Sequence, residues 1–163
     1  NIKELKKVFN EFKKKKNKIK LKYGFNHRYH DSIILAKKII DSKKYGRLIN
    51  LKGLYGKSKI IDFVGTGEWR SKKSMAGGGI LLDQGIHMLD LFNLLLGKFS
   101  SVKSFLSNCQ WNFDVEDNAV VIMKNNAGQL AMLHSSATFW KHMFNLNVIS
   151  SSFFKLKEPL HTY

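Results

Sequence analysis

The chain is short of cysteine, proline, arginine, acidic residues and long apolar runs. Cys109 is the one cysteine in 163 residues, so no internal disulfide can form. A disulfide-stapled secreted fold is thereby excluded, and a reducing cytoplasm is the expected setting. The single proline, Pro159, stands near the end, where residues 151–163 lose all periodicity and read as an irregular tail. No uninterrupted apolar run approaches the ~18 residues that cross a bilayer. The longest, around residues 89–96, is broken by Asp90 and Asn93. Residues 1–22 are lysine-rich and amphipathic without the apolar stretch of a signal peptide. Acidic residues number 12 against 28 basic ones, for a net charge of +16. That balance raises nucleic-acid binding as a possibility. However, the only arginines are Arg28, Arg47 and Arg70. Base and phosphate recognition leans on the guanidinium fork, which lysine lacks, so this function is not expected.

What remains is ordinary globular material, 44% hydrophobic and 25% charged. In residues 1–16, Ile2, Leu5, Val8, Phe9 and Phe12 recur at helical spacing. Residues 18–25 alternate and read as a strand. Asp31 is expected to cap a helix through Ile33, Ile34, Ala36, Ile39 and Ile40, with Gly46 just past its end. Residues 48–55 suit a strand, and 56–76 a long functional loop. Gly77, Gly78 and Gly79 open a helical pattern that stops at Gly97. Strands are expected at 102–111, 118–124, 129–140 and 144–150, with a hairpin turn at 125–128. Cys109 then falls in a strand beside Trp111 and is expected to be buried and inert. Trp111, Phe139 and Trp140 suit core packing or a sheet face, and His134 a structural role. The order of elements predicts an α+β fold, a mostly antiparallel open sheet with helices on one face.

The chemistry concentrates at residues 77–90. Asp83 and His87 are four apart on one helix face, amid apolar neighbours. A carboxylate beside a histidine raises its pKa and orients it, as general-base work near neutral pH requires. Gly85 between them costs about 1 kcal/mol relative to alanine, which points to close approach of a ligand or backbone. By spacing alone, a buried hydrogen-bonded pair serving the fold is the favoured reading. A metal site is not expected, since no cysteine cluster or second spaced histidine motif is present.

The run GGGILLDQGIHMLDL at 77–91 resembles the signature of the glucose–fructose oxidoreductase, inositol dehydrogenase and rhizopine-catabolism (Gfo/Idh/MocA) family. YGFNHRY at 23–29, DSKKYGRLINLKG at 41–53, EWR at 68–70, VEDNA at 115–119 and residues 133–140 are similar to other family segments. The resemblance covers residues 1–149. It implies a Rossmann domain joined to a substrate domain, with residues 1–26 the remnant of the former. Residues 27–150 would form the substrate and oligomerisation domain. It further implies hydride transfer between NAD or NADP and a hydroxyl of a sugar, nucleotide sugar or cyclitol. His87 would then be the catalytic acid/base, and Asp83 a catalytic partner that contacts substrate or orients His87. Asn26 and Arg28 would lie near the cofactor. Trp69 and Arg70 would lie near substrate, and Lys141 and His142 at the substrate edge or surface. The open sheet face would pair copies into a homo-oligomer. No G-x-G-x-x-G fingerprint follows a strand here, and the family's Glu-Lys-Pro motif would precede Asn1. The expectation is therefore a portion of an enzyme, inactive alone. The alternative is a non-catalytic binding or oligomerisation domain.

Overall fold

The computed structural model describes residues 2–14, 24–58, 68–152 and 155–156. Helix α1 spans Ile2–Lys14, as its periodicity predicts. Val8 and Phe9 on it are exposed. Most of the strand expected at 18–25 lies outside the described residues; Gly24 and Phe25 are irregular and lead into a 3₁₀ turn, Asn26–Tyr29. Helix α2 spans Asp31–Asp41, and the capping position belongs to His30, in extended conformation. Asp31 is thus the first helical residue, where its charge favours the helix dipole rather than capping by hydrogen bond. Gly46 does not end the helix either. The chain leaves α2 at Ser42, and Gly46 closes a later turn, donating to the Lys43 carbonyl at 3.0 Å.

Strand β1, Leu48–Gly56, lies inside the sheet. The 3₁₀ turn Glu68–Ser71 and the short helix α3, Lys73–Ala76, occupy part of the expected loop. A π-helical turn, Leu81–Gly85, runs into α4, Ile86–Leu96. Then follow β2 (Phe99–Ser107), β3 (Asn118–Asn125), β4 (Leu130–Ser136), β5 (Met143–Ser150) and the two-residue β6 (Lys155–Leu156). Strand β6 pairs with β5, so the end of the chain is not wholly irregular. The sheet order is β2-β3-β4-β1-β5-β6. Strands β1 and β4 are parallel and the other pairs antiparallel. The hairpin turn at 125–128 joins β3 to β4, with Gly128 at φ 78°.

Alternation in the strands decides which face is covered. Leu51 and Tyr55 of β1, Val121 of β3 and Leu133 of β4 point to one side, where Met88, Leu91 and Phe92 of α4 pack. Each such buried side chain contributes roughly 1.5–3 kcal/mol. Gly53 permits the approach, because a β-carbon there would meet Met88 Cγ at 2.6 Å. The helical stretch 73–96 is by length and composition apolar enough to cross a membrane. In the fold it covers the sheet instead. On the other face Phe105, Ile122, Leu130 and Met132 are exposed.

Strand β2 ends at Ser107, short of the expectation. The cause is Asp117, fully buried, whose carboxylate accepts the backbone N–H groups of Cys109, Gln110 and Trp111. Those amides turn away from strand pairing, and Cys109 is left exposed rather than buried. Burial opposes ionisation of Asp117, but these amides and Asn118 outweigh it and hold its pKa below the usual carboxylate range. Trp111 folds back, donating Nε1–H to the Ala137 carbonyl at 2.8 Å.

Candidate active site

The glycine triplet builds the start of the site. Gly77 takes a left-handed conformation (φ 82°) and ends α3. Gly79 passes so close to residue 116 that a β-carbon would sit 2.0 Å from the Glu116 carbonyl oxygen. Ile80 N–H donates to that oxygen at 3.0 Å, and Leu81 N–H donates to Glu116 Oε1 at 3.2 Å. The carboxylate thereby meets the positive end of the helix. Gly85 then lets the π turn rest on β4, where a β-carbon would lie 3.2 Å from Ser135 Cβ. The close approach at Gly85 is made by the side chains of Leu81 and Ser135, rather than by the ligand or backbone expected there. π-Helical turns are rare and recur at functional sites.

Asp83 sits on this turn. It faces Arg70 Nε at 3.2 Å and Lys57 Nζ at 3.5 Å, and Gln84 Nε2 donates to it at 3.1 Å. Its oxygens therefore serve basic groups and a neighbouring amide, and no hydrogen bond joins it to His87 among the described residues. Arg70 also lies over the half-exposed Trp69 ring, 4.3 Å from its centroid. The structure so brings Asp83, Trp69 and Arg70 together.

His87 lies at the start of α4 among aromatic rings. Its centroid is 4.5 Å from His27, 6.1 Å from Phe25 and 6.4 Å from Tyr55. Its Nδ1 is buried with no hydrogen-bond partner among the described residues. His27 in turn pairs Nε2 with the Tyr55 hydroxyl at 3.1 Å and Nδ1 with Asn26 Oδ1 at 3.2 Å. His142 stacks on Tyr55 at 5.7 Å. Arg28 turns elsewhere, clamping the Asp90 carboxylate of α4 through Nε, at 2.6 Å, and a terminal nitrogen. Its hydrogen bond to Asp90 raises the Arg28 pKa further. A cavity of about 320 Å³ opens beside these groups, lined by Asn26, His27, Tyr29, Tyr55, His142 and Phe144 among others. A more open groove of about 730 Å³ runs past Gly77, Leu82, Leu106 and Phe113. Neither Asp83 nor His87 lines either space.

Sequence reasoning did not single out His27, Tyr55 or Lys57. Tyr55 had a signal, since it alternates with Leu51 and Gly53 on the covered face of β1. Lys57 had none, because a lysine one residue past a strand looks like any solvated lysine.

Burial, then the neighbouring imidazoles of His87, His30 and His142, lower the His27 pKa from 6.5 to about 4, with Asp90 opposing. Burial lowers that of His134 as well. Burial and then Asp83 raise that of Tyr55. Both histidines bind fewer protons folded than unfolded. The contribution of His27 is therefore whole above about pH 6.5 and is lost as pH falls towards about 4. For the half-buried His27 the loss between pH 7 and 5 is about 1–2 kcal/mol after screening by solvent. Urea denaturation should show a lower midpoint at pH 5, and His27→Gln should reduce the difference. Equal midpoints at both pH values would contradict this.

The molecule is a one-sided sheet whose covering helix carries His87, with Asp83 on the π turn before it. The family model of the GFO/IDH/MocA C-terminal domain matches residues 33–152, so the chain belongs to the Gfo/Idh/MocA family of oxidoreductases. Levoglucosan dehydrogenase of Pseudarthrobacter phenanthrenivorans is 37% identical over 84 residues, 52% of this chain and 22% of that enzyme. A solved levoglucosan dehydrogenase in complex with NADH and levoglucosan superposes with TM-score 0.70 at 26% identity, over 78% of this chain and 37% of that one. The WlbA dehydrogenase from Bordetella pertussis, in complex with NADH and UDP-GlcNAcA, gives TM-score 0.70 at 18% identity, over 78% and 40%. That last likeness concerns the fold alone. The chain spans less than half the length of each of these relatives.

Proposed function

We propose that this chain supplies the substrate half of an NAD(P)-dependent dehydrogenase acting on a hydroxyl of a sugar, nucleotide sugar or cyclitol. The observation that carries the proposal is the isolation of His87. A histidine that serves the fold has its buried nitrogens hydrogen-bonded. The Nδ1 of His87 is buried without a partner among the described residues, and Asp83 is turned to Arg70 and Lys57. The pair is thus not the hydrogen-bonded structural couple that spacing alone favours.

His87 takes the proton of the substrate hydroxyl onto an imidazole nitrogen as the carbon is oxidised, and returns it in reduction. Asp83, Arg70 and Lys57 form a charged edge for the substrate's other polar groups, with Trp69 as an apolar flank. The nicotinamide cofactor, when bound, accepts or supplies the hydride. The exposed Asn26 amide, at the cavity wall, fits a contact to it. Arg28 is held by Asp90, so its part is to fix the Asn26 segment against α4. The test joins this chain to a nucleotide-binding domain of its family and follows NAD(P)H absorbance with a panel of sugars, levoglucosan and L-sorbose among them. Turnover of at least one is expected. No turnover of any, with the cofactor bound, supports the non-catalytic alternative.

The same proposal includes self-association. Phe105, Ile122, Leu130 and Met132 on the uncovered sheet face bury themselves against a second copy. Sedimentation should show a dimer, and Ile122→Lys with Met132→Lys a monomer. A monomeric wild type would end this part.

A further inference from the structure

His27 packs against His87 and lines the cavity. Its ring lies 4.5 Å from His87 and 5.3 Å from Phe144, and it shares the cavity wall with Tyr55 and His142. Both ring nitrogens are engaged. Nδ1 faces Asn26 Oδ1 at 3.2 Å. An amide oxygen only accepts, so Nδ1 carries the hydrogen. In the neutral ring Nε2 is then an acceptor, and the Tyr55 hydroxyl 3.1 Å away donates to it. Burial and the other imidazoles keep His27 neutral at pH 7. Tyr55 has one hydroxyl hydrogen, now committed. Its oxygen can offer a ligand only lone pairs.

We propose that His27 is a positioning residue: by holding the Tyr55 hydrogen it makes the Tyr55 oxygen an acceptor for a substrate hydroxyl other than the one His87 deprotonates. The proposal rests on the reading of His87 as acid/base. It adds a specificity rule. A ligand hydroxyl can donate to Tyr55, whereas a carbonyl or a fluorine at the same place brings no hydrogen. Tyr55 therefore favours the alcohol over its deoxy, fluoro or keto counterpart. Removing the hydroxyl from the one sugar position that meets Tyr55 should weaken binding about tenfold, the worth of one hydrogen bond.

The first test needs no turnover. Long-range ¹⁵N–¹H spectra of the full chain, histidine-labelled at pH 7, should show His27 as a single Nδ1–H tautomer. Tyr55→Phe should shift His27 towards Nε2–H, since the donor to Nε2 is gone. A wild-type His27 in the Nε2–H form, or as an even mixture, overturns the proposal. If Tyr55→Phe fails to fold, the wild-type spectrum decides alone. The second test uses the enzyme joined to its nucleotide-binding domain. His27→Phe should raise KM about tenfold, more than it lowers kcat. His27→Gln, whose amide oxygen can still accept from Tyr55, should restore most of the loss. An unchanged KM with a fallen kcat overturns the proposal. A fully active His87→Ala would instead sink the acid/base reading, and leaves the tautomer measurement standing on its own.

Discussion

His87→Ala in the joined enzyme is expected to lower kcat by about 10²–10⁴-fold, the usual worth of a general acid or base. The substrate's KM should move much less. On the proposed function, proton transfer to His87 accompanies oxidation of the carbon, so its loss should raise the barrier and hardly weaken the ground-state complex. Folding should survive, because among the described residues His87 makes no hydrogen bond through Nδ1 and its loss orphans no partner. Melting curves of the variant then separate a catalytic loss from a structural one. Asp83→Ala makes the contrast. It leaves Lys57 and Arg70 facing each other without their carboxylate. Both KM and stability should suffer there. Full activity in His87→Ala would remove the central claim of the proposed function, whatever the other variants do.

Much of this could be read in the chain beforehand, and the parts that could not share a cause. The covering helix was legible, because the apolar positions between Gly79 and Gly97 repeat at helical spacing. The one-sided sheet was legible too, because residues 118–124 and 130–135 alternate. The π turn was hidden. Apolar periodicity over five residues does not distinguish a π turn from an α turn, and the contact that accompanies it, Gly85 against Ser135, spans 50 positions of sequence. The partners of Asp83 were hidden for the same reason, since Lys57 and Arg70 sit on separate segments. Cys109 shows how local pattern misleads. Alternation continues past Ser107 through Cys109 and Trp111, and a strand is the natural reading. One buried carboxylate, Asp117, collects the amides and bends the chain out of the sheet. The motif resemblance pointed to His87 without any of this. It could not say that His87 would be surrounded by rings rather than bonded to Asp83.

Gly79→Ala is expected to destabilise the chain by about 3 kcal/mol or more, the upper range for overpacking. The clash is with backbone. A β-carbon would lie 2.0 Å from the Glu116 carbonyl oxygen and 2.9 Å from both its carbonyl carbon and its nitrogen. No rotamer change relieves that, so one segment must retreat. Residue 116 has little room to do so. Its neighbour Asp117 is fully buried, holds the amides of residues 109–111, and accepts through its carbonyl from Ala137 N–H at 2.7 Å. The helix start must move instead, which costs the bonds from Ile80 and Leu81 to Glu116. For a chain of this size the melting temperature should fall by roughly 6–12 °C. Gly78→Ala is the internal control. Its β-carbon would meet only Leu82 side-chain atoms and, at 3.8 Å, a carboxylate oxygen, the nearest being Leu82 Cβ at 3.3 Å. A shift of less than about 0.5 kcal/mol is expected there. Equal melting of the two variants would show that the close passage at Gly79 does not hold the site. The functional consequence follows from the same geometry. Asp83 and His87 are carried by the helix that Gly79 seats. On the proposed function, a variant that keeps its fold by displacing the helix start should lose activity.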